Sequence, residues 1–213
     1  MTSATAPGSG DDSVDTQPIP LEGITRHPHP GPLAGVIGID GHEGTGKTTI
    51  ARGAADALNA SYVRPFGGER GRLLSRADEA GDTDGVLRIG DAAITAAIRR
   101  SGPMRPIVVE RSWITVGSLV SDEEFYERWQ LWIPTILCWA DLPTTLKRVG
   151  HGAEALEARD RHRHFVDRYR RMAEDRGCVI VDTSNATDDE AIAQVVRAAR
   201  RLLRWAAAPS MLS

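Results

Sequence analysis

Apolar positions along the 213-residue chain change their period again and again. "AGVIGID" (34–40) is a short run rich in β-branched residues, the pattern of a strand buried on both faces. In "GKTTIARGAADALNA" (46–60) Ile50, Ala54 and Leu58 recur every four residues, which predicts one face of a helix. "SYVRPF" (61–66) is extended, "GVLRIGDAAITAAIRR" (85–100) is helical and "PIVVE" (106–110) is a strand. "DEEFYERWQLW" (122–132) predicts a helix, "PTILCWA" (134–140) a strand and "PTTLKRV" (143–149) the start of another helix. "RHFVDRYRRMAED" puts Phe165, Tyr169 and Met172 on one face, and "GCVIVD" (177–182) is a fifth strand. The closing "TDDEAIAQVVRAARRLLRWA" is a helix whose acidic first turn suits the helix dipole. Five strands alternating with helices predict an α/β fold: a five-stranded parallel sheet with helices on both faces. No internal repeat is visible.

Residues 1–33 break the pattern. Rich in Pro, Gly, Ser and Thr, they carry six of the 12 prolines and few large apolar groups, so a disordered N-terminal tail is expected. Residues 34–207 then form the folded domain, and 208–213 a short C-terminal tail. The chain is 41% hydrophobic and 26% charged, ordinary globular material. A net charge of −3 gives no bulk field for nucleic acid or an anionic membrane, so neither is an expected partner. Any bound anion must be held by a local cluster. Cys138 and Cys178 both lie in apolar runs, which suits buried thiols in a reducing compartment. No apolar run approaches the ~18 residues of a membrane span, and no signal pattern opens the chain, so a cytoplasmic location is expected.

In parallel α/β sheets ligands bind beyond the carboxyl ends of the strands. The first strand ends in "GIDGHEGTGKTT", and Gly41 to Thr48 fit G-x4-G-K-[ST] between a strand and a helix, the context of a phosphate-binding P-loop. Gly41, Gly44 and Gly46 let backbone N–H groups wrap an anion, and the helix beginning near Gly46 points its positive end at it. The expected phosphate cradle is Gly41, His42, Glu43, Gly44, Thr45, Gly46, Lys47, Thr48 and Thr49, with Lys47 on the β/γ phosphates of ATP and the Thr48 hydroxyl on Mg²⁺. The third strand ends in Glu110-Arg111-Ser112. Glu110 can hold Mg²⁺ through water, and the Arg111 fork can grip an acceptor phosphate or hydroxyl.

"IDGHEGTGKTTIA" is similar to the opening of the thymidylate kinases, and "VRPFGGERGRLL" (63–74) resembles a distorted form of that family's "REPGG" segment. "IVVERSWITVGSL" stands where the family has a strand and an Asp-Arg-aromatic sequence, although Glu-Arg-Ser itself looks more like the deoxynucleoside kinases. The resemblance covers roughly residues 34–200 and is most specific in the P-loop. It implies the three-layer P-loop NTPase sandwich with a lid at about 149–163, and a dimer. It also implies acceptor contacts from Asp40, Glu43, Arg64 and Arg111, and catalytic arginines from "KRVGHGAEALEARDRHRH", above all Arg148 and Arg159, with Arg161 and Arg163 nearby. A lid arginine would stabilise charge on the transferred phosphoryl group.

Departures from the pattern bear on the acceptor. Pro65 follows Arg64 directly, so the acid of "REP" is missing, and Asp91 stands where the family has a helical arginine. Trp113 reaches the aromatic position only after a one-residue slip; it can stack on a base or simply pack. The expected function is an ATP- and Mg²⁺-dependent phosphotransferase acting on a nucleoside monophosphate (dTMP or a modified nucleotide) or a nucleoside. The alternatives are a small-molecule kinase for a sugar, antibiotic or other metabolite, and a nucleotide-hydrolysing switch. A basic segment late in the chain, and no hydrophobic strand ending in Asp-Glu, favour the kinases over the switch.

Overall fold

The computed structural model describes residues 33, 35–102, 105–150 and 156–207. The expected tails, apart from Leu33, and residues 151–155 of the expected lid lie outside them. Five strands form one parallel sheet: β1 (Val36–Asp40), β2 (Ser61–Val63), β3 (Ile107–Glu110), β4 (Thr135–Trp139) and β5 (Val179–Asp182), in the order β2-β3-β1-β4-β5. This is the five-stranded parallel α/β sheet that the alternation predicts, with the P-loop at the end of its central strand.

Each central strand is buried on both faces because alternate residues serve different cores. Ile37, Ile39, Val108, Ile136 and Cys138 pack against α1 (Lys47–Ala57) and the closing helix, Asp188–Ala207. Val36, Ile107, Val109 and Leu137 face the opposite core. That core holds α3 (Thr83–Ser101), the short α4 (Trp113–Gly117) and α7 (Leu156–Asp175). Gly53 of α1 lets the closing helix approach, since a Cβ there would lie 2.5 Å from Ile192. The remaining helices are α2 (Glu69–Glu79), α5 (Asp122–Arg128) and α6 (Leu142–Val149), which makes the closing helix α8.

Helix starts follow local capping chemistry. Asp82 accepts from Gly85 N at 2.8 Å, Asp141 from Thr144 N at 2.8 Å, and Thr187 with Glu190 forms a capping box at α8. Two elements differ from expectation. α5 stops at Arg128 instead of Trp132, because Trp129 turns extended, stacks on Phe125 at 5.3 Å and donates Nε1 to Leu131 O. α2 is helical although it buries only Leu74 and Ala77. Residues 156–163, read as part of a lid, form the first turns of α7. Among the described residues no helix is long and apolar enough to cross a membrane.

Candidate active site

The loop from β1 to α1 contains the expected anion cradle, and two of its glycines have φ near +80°, where other residues are strained. Gly44 sits at φ 79° and Gly46 at φ 76°. Gly41 is needed for space, since a Cβ would come 2.5 Å from Cys138 O on β4. Lys47, at the first turn of α1, is only 6% exposed and donates from Nζ to His42 O at 3.2 Å. Burial, and then the nearby Arg111 charge, lowers its pKa from 10.5 to about 8. Thr45 closes the loop by donating to His42 O at 2.9 Å. Glu43, in the loop, and Thr49, in the first turn of α1, are exposed.

Parallel register brings β3 beside β1, with Ile39 opposite Glu110. Glu110 is fully buried, and its Oε1 accepts from the Thr48 hydroxyl at 2.6 Å. Its other oxygen accepts from the Tyr62 hydroxyl on β2, and Arg64 Nε lies 3.8 Å from Oε1. Burial works against the charge, but the Thr48 and Tyr62 hydrogen bonds, with Arg64 and Lys47, hold the carboxyl below its usual pKa. A hydroxyl and a carboxylate this close are hard oxygen donors and suit Mg²⁺, which keeps several waters and takes few protein ligands. Arg111 follows with φ 65°, a left-handed conformation uncommon outside glycine, while its N–H donates to Ile39 O at 3.0 Å. Its charge lies within reach of Lys47, His42 and Tyr169.

Asp40, read as an acceptor contact, points inward. It is fully buried, accepts from Ser112 N at 3.0 Å and from Thr115 Oγ1 at 2.6 Å, and also binds the Ser112 hydroxyl. Its geometry is that of a clamp on the loop after β3. Gly38 makes room for this cluster, because a Cβ would lie 2.5 Å from both Ser112 Oγ and Thr135 Oγ1. Trp113 is 2% exposed, donates Nε1 to Ile133 O at 3.0 Å and packs against Trp132 at 5.2 Å. It packs and does not face the loop.

The expected lid arginines separate. Arg148 belongs to α6 and reaches the outer rim of the P-loop, donating to Gly44 O at 3.3 Å and to Thr183 O at 2.8 Å. Thr183, just past β5, donates in turn to Thr45 O at 3.0 Å. Arg159 is exposed on α7, three residues before the buried His162. Arg161, also on α7, lies within electrostatic reach of His42 and of Asp78 on α2. Across the loop, His42 Nε2 hydrogen-bonds His162 Nδ1 at 2.8 Å, and the His42 ring stacks on Phe165 at 5.3 Å.

The structure therefore gathers Lys47, Thr48, Arg64, Glu110 and Arg111 at one strand end, and puts Arg148 on the other flank. Tyr62, Thr183 and His162 have no expectation from the sequence. Their positions depend on which strands are neighbours, and no local pattern carries that. For His162 a hint lay in "RHRHF", a segment read for its arginines alone.

No family model matches the chain, and no curated protein matches it. Solved structures do. Thymidylate kinase from Candida albicans superposes with a TM-score of 0.55 at 17% identity, over 79% of this chain and 92% of that one. Deoxyadenosine kinase from M. mycoides, with the product dCMP bound, gives 0.50 at 13% identity over 78% and 99%. Shikimate kinase from Acinetobacter baumannii, in complex with shikimate, gives 0.50 at 15% identity over 81% and 93%. The chain thus has the fold shared by P-loop kinases.

Proposed function

We propose that this protein is an ATP- and Mg²⁺-dependent phosphotransferase that passes the γ-phosphoryl group of ATP to a nucleoside monophosphate. The observation that carries the reading is the Thr48–Glu110 hydrogen bond of 2.6 Å beside the Lys47 ammonium, at the mouth of the Gly41–Thr49 loop. Phosphoryl transfer asks the protein mainly for positioning and for neutralisation of charge. In this reading the loop N–H groups and Lys47 hold the β- and γ-phosphates, and Thr48 with Glu110 would hold Mg²⁺. When bound, that ion would neutralise charge between the phosphates. Arg148 and Thr183 brace the loop's outer rim, and Arg159, one of several exposed arginines of α7, would be drawn to the transferred group. Glu43 and Arg64 flank the acceptor side, and Arg111 presents its guanidinium to the acceptor.

The two buried carboxylates offer no free base, which favours an acceptor that brings its own anionic oxygen. A neutral hydroxyl needs a proton acceptor at the moment of attack. Asp40 is closed off by Ser112 and Thr115, and both oxygens of Glu110 are engaged by Thr48 and Tyr62. A phosphate monoester has no such need, and the cations Lys47, Arg64 and Arg111 suit it. The fold is shared by a thymidylate kinase and equally by deoxyadenosine and shikimate kinases, so the choice of acceptor rests on the charges of the site. The test is an acceptor screen with ATP and Mg²⁺ across nucleoside monophosphates, nucleosides and sugars, read by product mass. A diphosphate formed only from monophosphates is expected. Phosphorylation of nucleosides or sugars alone, or ATP consumption equal with and without acceptor, would overturn the reading.

A further inference from the structure

One buried acid has no part in phosphate binding. Asp40 ends β1 directly before the phosphate loop, is fully buried, and has both oxygens occupied. Ser112 N–H donates to the two oxygens at 3.0 Å each, the Thr115 hydroxyl donates to Oδ1 at 2.6 Å, and the Ser112 hydroxyl donates to Oδ2. All three donors belong to the stretch that follows β3, and none is a cation. An acid enclosed in this way cannot touch a substrate. Whatever it contributes must pass through the residues it holds.

Those residues begin where the backbone is strained. Arg111 stands between Glu110 and Ser112 with φ 65°, a region unfavourable to any residue with a Cβ. Such a conformation persists only where neighbouring bonds over-determine it. The Arg111 N–H is tied to Ile39 O at 3.0 Å, and the next N–H along the chain, that of Ser112, is the one Asp40 takes. Ile39 and Asp40 are consecutive, so the end of β1 grips the strained residue from both sides. Backbone atoms on either side of a Cα fix the direction in which its side chain leaves, and these two bonds therefore aim the Arg111 guanidinium. Its charge falls within reach of Lys47 and His42 in the phosphate cradle. The cluster is braced further. A Cβ at Gly38 would lie 2.5 Å from Ser112 Oγ, so β1 gives up a side chain to seat that serine. The Tyr169 hydroxyl on α7 donates to Thr115 Oγ1 at 3.2 Å, which ties the same stretch to the opposite core.

We propose that Asp40 is a positioning residue for phosphoryl transfer: by holding Ser112 and Thr115 it keeps Arg111 in the left-handed turn that presents the guanidinium to the acceptor phosphate. This rests on the phosphotransferase reading above, in which Arg111 grips the acceptor. A guanidinium without a fixed direction must be ordered each time a substrate arrives. One held by a buried clamp meets the phosphate already aimed. Asparagine at position 40 keeps the size of the side chain but offers one accepting oxygen in place of two, and its NH₂ group faces donors. The clamp then loses a bond whichever way the amide turns, and Arg111 relaxes towards an ordinary backbone conformation.

The test is a kinetic double-mutant cycle on the full chain. ATP and Mg²⁺ are supplied with dTMP, dAMP, dCMP, dGMP and their ribonucleotide counterparts in turn, and the monophosphate used best is carried through the variants. Asp40→Asn should lower kcat/KM for that monophosphate about tenfold or more, while the KM for ATP stays within about threefold of the parent value. Arg111→Gly accepts the turn without strain and removes the guanidinium, and should cost at least as much. The double variant should fall within about twofold of Arg111→Gly, because the two residues act as one unit. Losses that multiply, an unchanged kcat/KM in Asp40→Asn, or an ATP KM that rises as steeply as the acceptor term falls would overturn the positioning role. Calorimetric binding of ADP shows whether each variant is folded. Should Asp40→Asn fail that check, Thr115→Val removes one bond of the clamp and leaves the acid in place. It should cost about threefold in kcat/KM in the parent background and nothing beside Arg111→Gly, and equal costs in the two backgrounds, or none in either, would overturn the proposal. A parent protein that converts none of the monophosphates would remove the phosphotransferase reading itself, and the positioning role with it.

Discussion

Lys47 should cost the empty protein stability, and replacing it should make the fold tougher while ending turnover. Its ammonium is 6% exposed, and its pKa falls from 10.5 in the unfolded chain to about 8 in the folded one. At about 1.36 kcal/mol for each pH unit of difference, holding the charge at pH 7 costs about 3 kcal/mol. Against this stands the single hydrogen bond to His42 O, a net contribution of about 1 kcal/mol. Lys47→Met keeps the length of the side chain and removes the charge, so the empty variant should be more stable by about 2 kcal/mol at pH 7. For a chain of 213 residues that is a rise in Tm of about 4–8 °C. The penalty is lost in a defined pH window. Between pH 8 and 10.5 the folded parent has released this proton and the unfolded chain has not, so the parent gains stability as pH rises and the difference shrinks. Thermal melts of both proteins at pH 7.0 and 9.5, without and with ADP and Mg²⁺, check each step. Nucleotide should raise the parent's Tm and leave the variant's unmoved. An empty variant no more stable than the parent at pH 7, or a difference that does not narrow by pH 9.5, would refute a strained ammonium.

Three further outcomes follow from the same geometry. Tyr62→Phe leaves one buried oxygen of Glu110 without its donor and should lower stability by about 1–3 kcal/mol in urea melts, with a weaker dependence of turnover on Tyr62 than on Glu110. Arg148→Ala removes the bonds to Gly44 O and Thr183 O, and should raise the KM for ATP severalfold while the acceptor KM stays put. Arg111→Gly relieves the φ of 65° and should stabilise the fold by about 1 kcal/mol, while acceptor use falls at least tenfold in kcat/KM.

The strands were legible in the sequence because burial on both faces leaves near-continuous apolar runs, as in "VIGID" and "IVVE". The loop was legible for a related reason: Gly41, Gly44, Gly46 and Lys47 are each required by backbone geometry or by charge. α2 was not legible, because a helix that buries only Leu74 and Ala77 has almost no apolar period to detect. Tyr62 became a partner of Glu110 through the β2-β3 neighbourhood, a fact of strand order that alternation does not encode. Arg148 is a lid arginine by family resemblance alone. The α6 geometry turns it instead to the rim of Gly44, and the same three-dimensional bookkeeping turns Asp40 inward.

That inward turn has a consequence for how the chain assembles. A carboxylate sealed among Ser112, Thr115 and the space left by Gly38 is tolerable only when β3 lies beside β1 in one register, Ile39 opposite Glu110. A slip of one residue would strand the charge in an apolar layer and move Glu110 away from Thr48. The acid beneath the loop thus acts as a proofreader of strand pairing: a molecule cannot bury its centre cheaply until the two halves of its reaction site already face each other.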